Sequence, residues 1–523
     1  MKKNLLTKKT LVQDYLFQAA ERFPDKEAII QINKRTTYGE ILKAAKGVAH
    51  WLIDEKIKRG DRVAILMEDP SEYVISYFGI LMAGGTVVPL NTQTSTRTLE
   101  YLFNNCQVSS LLTHTKFIKY LRELSDKLPT LTSIALSGFK DNCTQNLPFK
   151  CTDFTQIVNA NSHNTSNIQL STGGTDSDIA QIIYTSGTTG EPKGVMLRHS
   201  NLAANTSSII RYLKLNSQER HMLVLPAFYS YGNSILLTHF AVGATLVIHQ
   251  SFVYPNVVLD MMLKEKVSGF SGVPSTYAII LNRSSVRNYR FSHLRYLAQA
   301  GGAMSPKLAQ ELKSILPHVD VYIMYGQTEA SARLSYLEPK ELFRKAGSIG
   351  KAIPGVTLQV LNQEGKHVKT GEMGEIVAQG NNIMAGYWDD PQKTALILRK
   401  EGLWTGDLAR KDEEGYLYIV SRKSEMIKSG AHRIGPKEIE EIILEHEAVH
   451  EVAVLGIDDE ILGEAIKACI VLKEGTSIAK KDILSHCRKN LPAYKVPHHI
   501  EFLKQLPKTP SGKIKKSLLK KQA

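Results

Sequence analysis

Residues 185–194 read TSGTTGEPKG, and their types point to chemistry on phosphate. A turn built on glycines such as Gly187 and Gly190 offers a concave array of backbone N–H donors that fits phosphate oxygens. Thr185, Ser186, Thr188 and Thr189 add hydroxyl donors, and Lys193 adds a positive charge. The apolar run Ile179–Ile183 leads into the loop. It predicts a strand that delivers the loop to the rim of a sheet, where α/β proteins place ligands. The P-loop pattern Gly-x4-Gly-Lys-Ser/Thr is not met. Counted from Gly187, Pro192 takes the second glycine position, and Gly194 stands where a magnesium-holding hydroxyl is needed. A flexible linker explains the composition but neither the apolar lead-in nor the lysine.

Further motifs follow in order: Tyr325-Gly-Gln-Thr-Glu329, Gly347-Ser-Ile-Gly350 with Pro354-Gly355, and Gly371-Glu-Met-Gly-Glu-Ile376 with Gly380 and Gly386-Tyr387. Then come Trp404-Thr-Gly-Asp407, Arg422 with Ile427-Lys-Ser-Gly430, and Pro510-Ser-Gly-Lys513. Together with the glycine loop, this series resembles the adenylate-forming superfamily: acyl-CoA synthetases, adenylation domains of peptide synthetases, and beetle luciferases. The stretch from Gly60 to Leu90 also resembles that family's N-terminal sheet.

The resemblance implies roles, residue by residue. Lys513 is the lysine that bridges the substrate carboxylate and the α-phosphate of ATP, where negative charge crowds during attack. Thr328 hydrogen-bonds the α-phosphate, and Glu329 holds Mg²⁺. Tyr325, beside Gly326, stacks on adenine. Gly301, Gly302 and Ala303 let the flat base lie against backbone. Asp407 accepts the ribose hydroxyls, and Arg422 reaches the ribose from the domain junction. Gly430 is the glycine that the pantetheine arm of coenzyme A passes. The family hinge falls at Ser424, where Asp or Lys is usual, so the position carries over without its side-chain chemistry. Lys515, Lys516 and Lys520 read as solvated tail lysines.

Leu225–Gly232 aligns with the family stretch beside the acyl carboxylate, and Tyr229 replaces its usual histidine. With Gly232, it marks the acyl pocket. Ala227 and Phe228 stand where an amino-acid-activating domain carries an ammonium clamp, so a carboxylic acid without an amino group is expected. Arg333 reads as a surface arginine or as a residue facing a polar group of the acid.

These residues need elements to hold them. Arg62–Leu66 and Thr86–Leu90 read as strands, and Tyr73–Met82 between them reads as a helix, a βαβ unit. Strand patterns recur at Thr245–Ile248 and Val319–Met324. The expected fold is α/β: a large N-terminal domain of two subdomains with mainly parallel sheets, then a small β-rich subdomain over about 345–420. Residues 141–178, rich in Asn, Ser and Thr, read as an irregular excursion. Beyond the β-rich part, Pro436–Ile443 reads as a helix and Val452–Leu455 as a strand. The domains expected are 1–420, which binds the nucleotide, and 421–523, a mobile α/β lid.

The chain has 523 residues, 43% hydrophobic and 22% charged, with a net charge of +14. Such a length calls for more than one domain. The charge suits acidic partners: ATP, coenzyme A, or the phosphopantetheine of an acyl carrier protein. It does not discriminate among them, and no nucleic-acid-binding signature accompanies it. The five cysteines lack CxxC spacing, which argues against zinc and disulfide frameworks. No secretory leader and no membrane-spanning apolar run is read, so a cytoplasmic enzyme without an integral membrane segment is expected. The function expected is an ATP-dependent acid–thiol ligase acting on a small carboxylic acid. A luciferase-like oxygenase or a non-catalytic nucleotide-binding regulator are the alternatives. Joint retention of Lys513, Glu329, Asp407 and Gly430 argues against the regulator.

Overall fold

Strands inside a parallel sheet are covered on both faces and so read as unbroken apolar runs. Thr86–Pro89 and Thr245–Ile248 are buried along their whole length for this reason. The computed structural model describes residues 10–140, 143–160, 174–185, 192–430, 432–508 and 514–520. Within these residues the chain forms four sheets.

The first sheet runs in the order Lys351–Ala352, Ser335–Leu337, Asp320–Tyr325, Tyr296–Gln299, Gly269–Gly272, Arg220–Leu223, Thr245–Ile248, Glu27–Ile30, Arg35–Thr37. It is parallel from Asp320–Tyr325 through Glu27–Ile30. The second runs Gly386–Tyr387, Lys193–Arg198, Ile179–Thr185, Thr86–Pro89, Arg62–Leu66, Ser110–His114, Ser133–Ser137, Lys150–Asp153. It is parallel except where the strands flanking the glycine loop form an antiparallel hairpin and Gly386–Tyr387 is added to it.

Helices fill the space between these two sheets. The βαβ helix is longer than the sequence pattern showed, Pro70–Met82, because Asp69 accepts the Glu72 N–H at its start and proline opens it. Thr37 and Glu40 form a reciprocal capping box on Tyr38–Asp54. Pro70–Met82 and Ser230–Val242 are buried over most of their length, as helices enclosed by protein are. Phe240 stacks on Phe78 and meets Tyr38 edge-on, with 5.2 Å between centroids in each pair. One core therefore joins side chains from both sheets.

The part of the excursion at 141–178 that is described is not all irregular. Lys150–Asp153 adds a parallel strand to the second sheet, and Asp153 caps the short helix Phe154–Asn159, whose Phe154 and Ile157 enter the shared core. Local composition hid an element that long-range packing stabilises.

The third sheet is antiparallel: Val356–Leu361, Met373–Gly380, Gly402–Lys411 and Leu398–Arg399, with Leu417–Arg422 paired to Gly402–Lys411. The fourth begins at Ile427 and comprises Ile427–Ser429, His432–Ile434, Val449–Asp459, Gly463–Leu472 and His499–Phe502. Helices Pro436–Glu445 and Lys480–Asn490 pack on it around a separate core. No described helix is long and apolar enough to cross a membrane.

Candidate active site

The strand Asp320–Tyr325 ends in a reversal that sets the site. A Cβ on Gly326 would lie 1.9 Å from the Ala332 carbonyl oxygen, so only glycine admits this fold-back. The chain then makes one 3-10 turn, Thr328–Ala330, and passes through Ser331 and Ala332 at φ of 55° and 108°. L-residues adopt such angles only when their surroundings impose them. Buried Asn382 supplies the imposition. Its side-chain amide nitrogen donates to the carbonyls of Ala330 (3.1 Å) and Arg333 (2.9 Å), and its backbone carbonyl accepts from the Ser331 hydroxyl (2.8 Å). The Asn205 amide also donates to the Arg333 carbonyl, at 3.1 Å.

The turn presents Thr328 and Glu329 to a cleft of about 1530 Å³. Thr328 Oγ1 lies 3.1 Å from Ser230 Oγ, at the start of the buried helix Ser230–Val242. Glu329 accepts a hydrogen bond from the Tyr387 hydroxyl at 2.8 Å, and Lys193 Nζ sits 5.2 Å from the centre of the Tyr387 ring. Thr185 pairs with Lys193 in the hairpin, so both ends of the glycine loop reach the cleft wall. Ser186, Gly187, Thr188, Thr189 and Gly190 lie outside the described residues.

Across the cleft, Asp407 stands on Gly402–Lys411 directly opposite Arg422 in the antiparallel register. Its carboxylate accepts from Arg422 Nε at 2.9 Å and from the Tyr325 hydroxyl at 2.7 Å. The Asp407 charge holds the Arg422 guanidinium above its already high pKa. Burial, and then Asp407, keep the Tyr325 hydroxyl neutral far above its ordinary range. Each carboxylate oxygen has two lone pairs, so Asp407 keeps acceptor capacity toward a ligand. Gly301, Gly302 and Ala303 line the same cleft beyond Tyr296–Gln299.

Tyr229 and Gly232 line the cleft at the start of the buried helix. Burial pushes the Tyr229 hydroxyl up to about 12, and it accepts from the Asn91 amide at 3.3 Å. Unlike the histidine it replaces, it titrates nowhere near neutrality. Arg333 is not at the surface. It is 3% exposed, its guanidinium lies 4.0 Å from the Tyr231 ring centre, and it contributes to the cleft wall.

Two further placements differ from the sequence reading. Lys516 is not a solvated tail lysine: its ammonium lies 2.7 Å from Glu440 and 3.2 Å from Glu425. Burial alone lowers its pKa, but the two carboxylates outweigh burial and the net shift is upward. Lys520, about half exposed, pairs with Glu464 at 2.9 Å. Gly430 does not line the cleft. Its φ of +56° accounts for the glycine, whereas an added Cβ would meet only Leu462, at 3.9 Å. Lys513 lies outside the described residues. Its described neighbours Ile514, Lys515 and Lys516 line the cleft, and Ile514 bridges to Lys508.

Sequence reasoning missed Ser230, Tyr387, Glu375 and Lys423 as site residues. Glu375 accepts from the Gly406 N–H (2.9 Å) and from Lys423 (3.2 Å), which shapes the turn before Asp407. Tyr387 stood in the motif series without a role; pairing with Glu329 across 58 residues leaves no local signal. Among the described residues no cluster of three or more His, Cys, Asp or Glu side chains is placed to hold a metal. Burial pushes the Cys106, Cys151 and Cys487 thiols up to about 11, which makes them poor nucleophiles.

Comparison with known proteins bears directly on this cleft. The family model for AMP-binding enzymes matches residues 16–388, and that for the AMP-binding enzyme C-terminal domain matches residues 438–513. A long-chain-fatty-acid–CoA ligase of Bacillus subtilis (strain 168) is 33% identical, covering 97% of this chain and 94% of that protein. An anthranilate CoA ligase in complex with anthranoyl-AMP superposes with a TM-score of 0.89 at 27% identity, covering 100% of this chain and 99% of that one. The o-succinylbenzoate CoA synthetase of Bacillus subtilis, in complex with ATP and magnesium ion, gives 0.82 at 27% identity, covering 97% and 99%.

The chain belongs to the AMP-binding enzymes, within the adenylate-forming superfamily. In that superfamily it is an AMP-forming acid–thiol ligase of the acyl-CoA synthetase kind.

Proposed function

We propose that the enzyme activates a carboxylic acid with ATP and transfers the acyl group to coenzyme A. In the first step a carboxylate oxygen attacks the α-phosphorus, the bond to the β-phosphate breaks, and pyrophosphate leaves. In the second, a thiolate sulfur attacks the acyl carbon, and the bond to AMP breaks. The observation that carries this reading is the convergence of Tyr325, Thr328, Glu329, Asp407 and Arg422 on one cleft from three separate stretches of chain. The relatives are named as CoA ligases, and the solved neighbours hold ATP or an acyl-adenylate, which supports it further.

The roles follow the chemistry of each group. Asp407 and Arg422 take the ribose, and Tyr325 with Gly301, Gly302 and Ala303 takes adenine. The loop from Thr185 to Lys193, with Thr328, takes the phosphates. The carboxylate of Glu329, on the phosphate side of the cleft, suits magnesium, which keeps waters and phosphate oxygens as its other ligands; an ion held there would neutralise charge on the triphosphate. Lys513 supplies the cation between carboxylate and α-phosphate. Residues 1–420 form the body and 421–523 a lid that turns about Ser424, withdrawing Lys513 and bringing Gly430 to the thiol path. The enzyme works in the cytoplasm.

A panel of carboxylic acids scored for pyrophosphate release, with and without coenzyme A, tests this. Release with several acids and formation of CoA thioesters is the expected outcome. Release without thioester would redirect the second step to a carrier-protein phosphopantetheine. Background rates across the whole panel would remove the proposal.

A further inference from the structure

Arg333 stands in an unusual position for a charged group. It is 3% exposed, yet no described carboxylate lies within salt-bridge distance of its guanidinium. Its Nε has no hydrogen-bond partner among the described residues, and Nη1 makes one long contact, 3.4 Å, to the carbonyl of Ala332. The Tyr231 ring covers one face. A guanidinium has five N–H donors, and buried charges are ordinarily paired or hydrogen-bonded. Its surroundings are fixed: its backbone carbonyl is held by Asn205 and Asn382, and Tyr231 is anchored to the Ala298 carbonyl at 2.9 Å. The Tyr212 hydroxyl also faces the guanidinium, yet Nε stays without a partner among the described residues, so the side chain is pre-positioned at the cleft wall with donor capacity to spare.

The missing partner must come from a ligand in the cleft. The triphosphate already has an end of its own, defined by Lys193, Tyr387 and Glu329. Arg333 sits instead with Tyr231, which packs on the cluster holding Ala300 and Met324, and all three line the cleft. That wall is aromatic and aliphatic apart from the arginine, as an acyl pocket with one polar anchor would be. Resting on the acid-activating function proposed above, we infer that Arg333 is a specificity-determining residue for the acid itself. The preferred substrate carries, away from its reacting carboxylate, a second oxygen-bearing group, best an anionic one such as another carboxylate, which Arg333 takes by charge-assisted hydrogen bonds.

The test compares acids of equal chain length that end in a methyl, a hydroxyl or a second carboxylate, by initial rates of pyrophosphate release with the full-length enzyme. A site built to hydrogen-bond a substrate group discriminates strongly against the analogue lacking it. The expected kcat/KM ratio of the best oxygen-bearing acid to its methyl-ended match is about 100 or more, and Arg333→Leu brings it to about one or below. Arg333→Lys, which keeps the charge but loses the planar fork, falls between. The wild-type ratio stands even if a variant folds poorly, and melting curves identify such a variant. A wild-type preference for methyl-ended acids overturns the inference while leaving the proposed activity intact. So does an unchanged ratio in Arg333→Leu accompanied by a raised KM for ATP, which would assign the arginine to the nucleotide. Absence of pyrophosphate release with every acid removes both this inference and the activity it rests on.

Discussion

The two sides of the cleft are held by different physics. On the body side, the turn Gly326–Arg333 is over-determined: two positive-φ residues are clamped by the buried Asn382 and Asn205 amides. On the other side, residues beyond 424 have their own sheet and core, and their described ties to the body are sparse. Lys437 donates to the Ile419 carbonyl at 3.1 Å, and an exposed Arg283–Glu474 pair spans 4.0 Å. Exposed ion pairs contribute at most about 1 kcal/mol. A rigid bed beside a weakly tethered unit is the arrangement expected where one surface must keep its geometry and the other must move.

The sharpest way to break that comparison is to remove the cation proposed for the C-terminal side. Lys513→Ala should lower pyrophosphate release by about 10²–10³-fold, the usual effect of losing one transition-state charge partner. Thioester formation from supplied acyl-AMP and coenzyme A should fall far less, because that half-reaction does not use it. Equal loss in both half-reactions would mean that the two sides do not trade places.

A smaller effect separates the two sides by stability. Asn382→Leu leaves the Ala330 carbonyl a buried acceptor without its donor, at a cost of about 1–3 kcal/mol. Urea unfolding should register it in the body transition, together with loss of pyrophosphate release as Ala332 relaxes. Lys516→Met removes the ammonium between Glu425 and Glu440, three residues that all lie beyond residue 424. Partly exposed as it is, this pair should cost about 1 kcal/mol, between the exposed and the buried cases. The loss should appear in the C-terminal unit alone. If both substitutions shifted one shared transition, the two units would be a single cooperative body.

The same contrast explains what the sequence made legible. Arg62–Leu66 and Thr245–Ile248 were readable to the residue because parallel strands are apolar on both faces and glycines or charges punctuate them. Tyr325, Thr328, Glu329 and Asp407 were readable as motifs, since each stands in a short run with glycine or threonine neighbours, and Arg422 by its place ahead of Ile427-Lys-Ser-Gly430; the fold brings all five to the cleft. Partnerships across the chain were not. Nothing near Lys516 signals Glu425 or Glu440, and tail position suggested solvent. Nothing near Arg333 signals burial, because the aromatic group that covers it comes from Tyr231, about 100 residues away. Lys150–Asp153 and Phe154–Asn159 escaped because their stability comes from the neighbouring strand and core rather than from their own composition.

Acid provides the mildest probe, and it acts on the body through histidines buried in its interior. His199 accepts a hydrogen bond from the Val12 N–H, which fixes its neutral form, and His239 holds the Ile235 carbonyl deep in Ser230–Val242. Burial lowers both to about 4, and burial, then His239, whose ring centre lies 4.6 Å away, holds His221 well below the ordinary histidine range. In the unfolded chain these groups titrate near 6.5. Between that value and the folded one, the unfolded state binds more protons, so stability falls as pH drops and is fully present only above about 6.5. From pH 7 to 6 each histidine should cost about 0.7 kcal/mol by this linkage. His239→Gln, which supplies a neutral hydrogen-bonding side chain in place of a titrating ring, should flatten the pH dependence of the body's unfolding transition over that interval. An unchanged slope in that variant would mean that His239 is not protonated on unfolding in this range, and the acid sensitivity would have to arise elsewhere in the body.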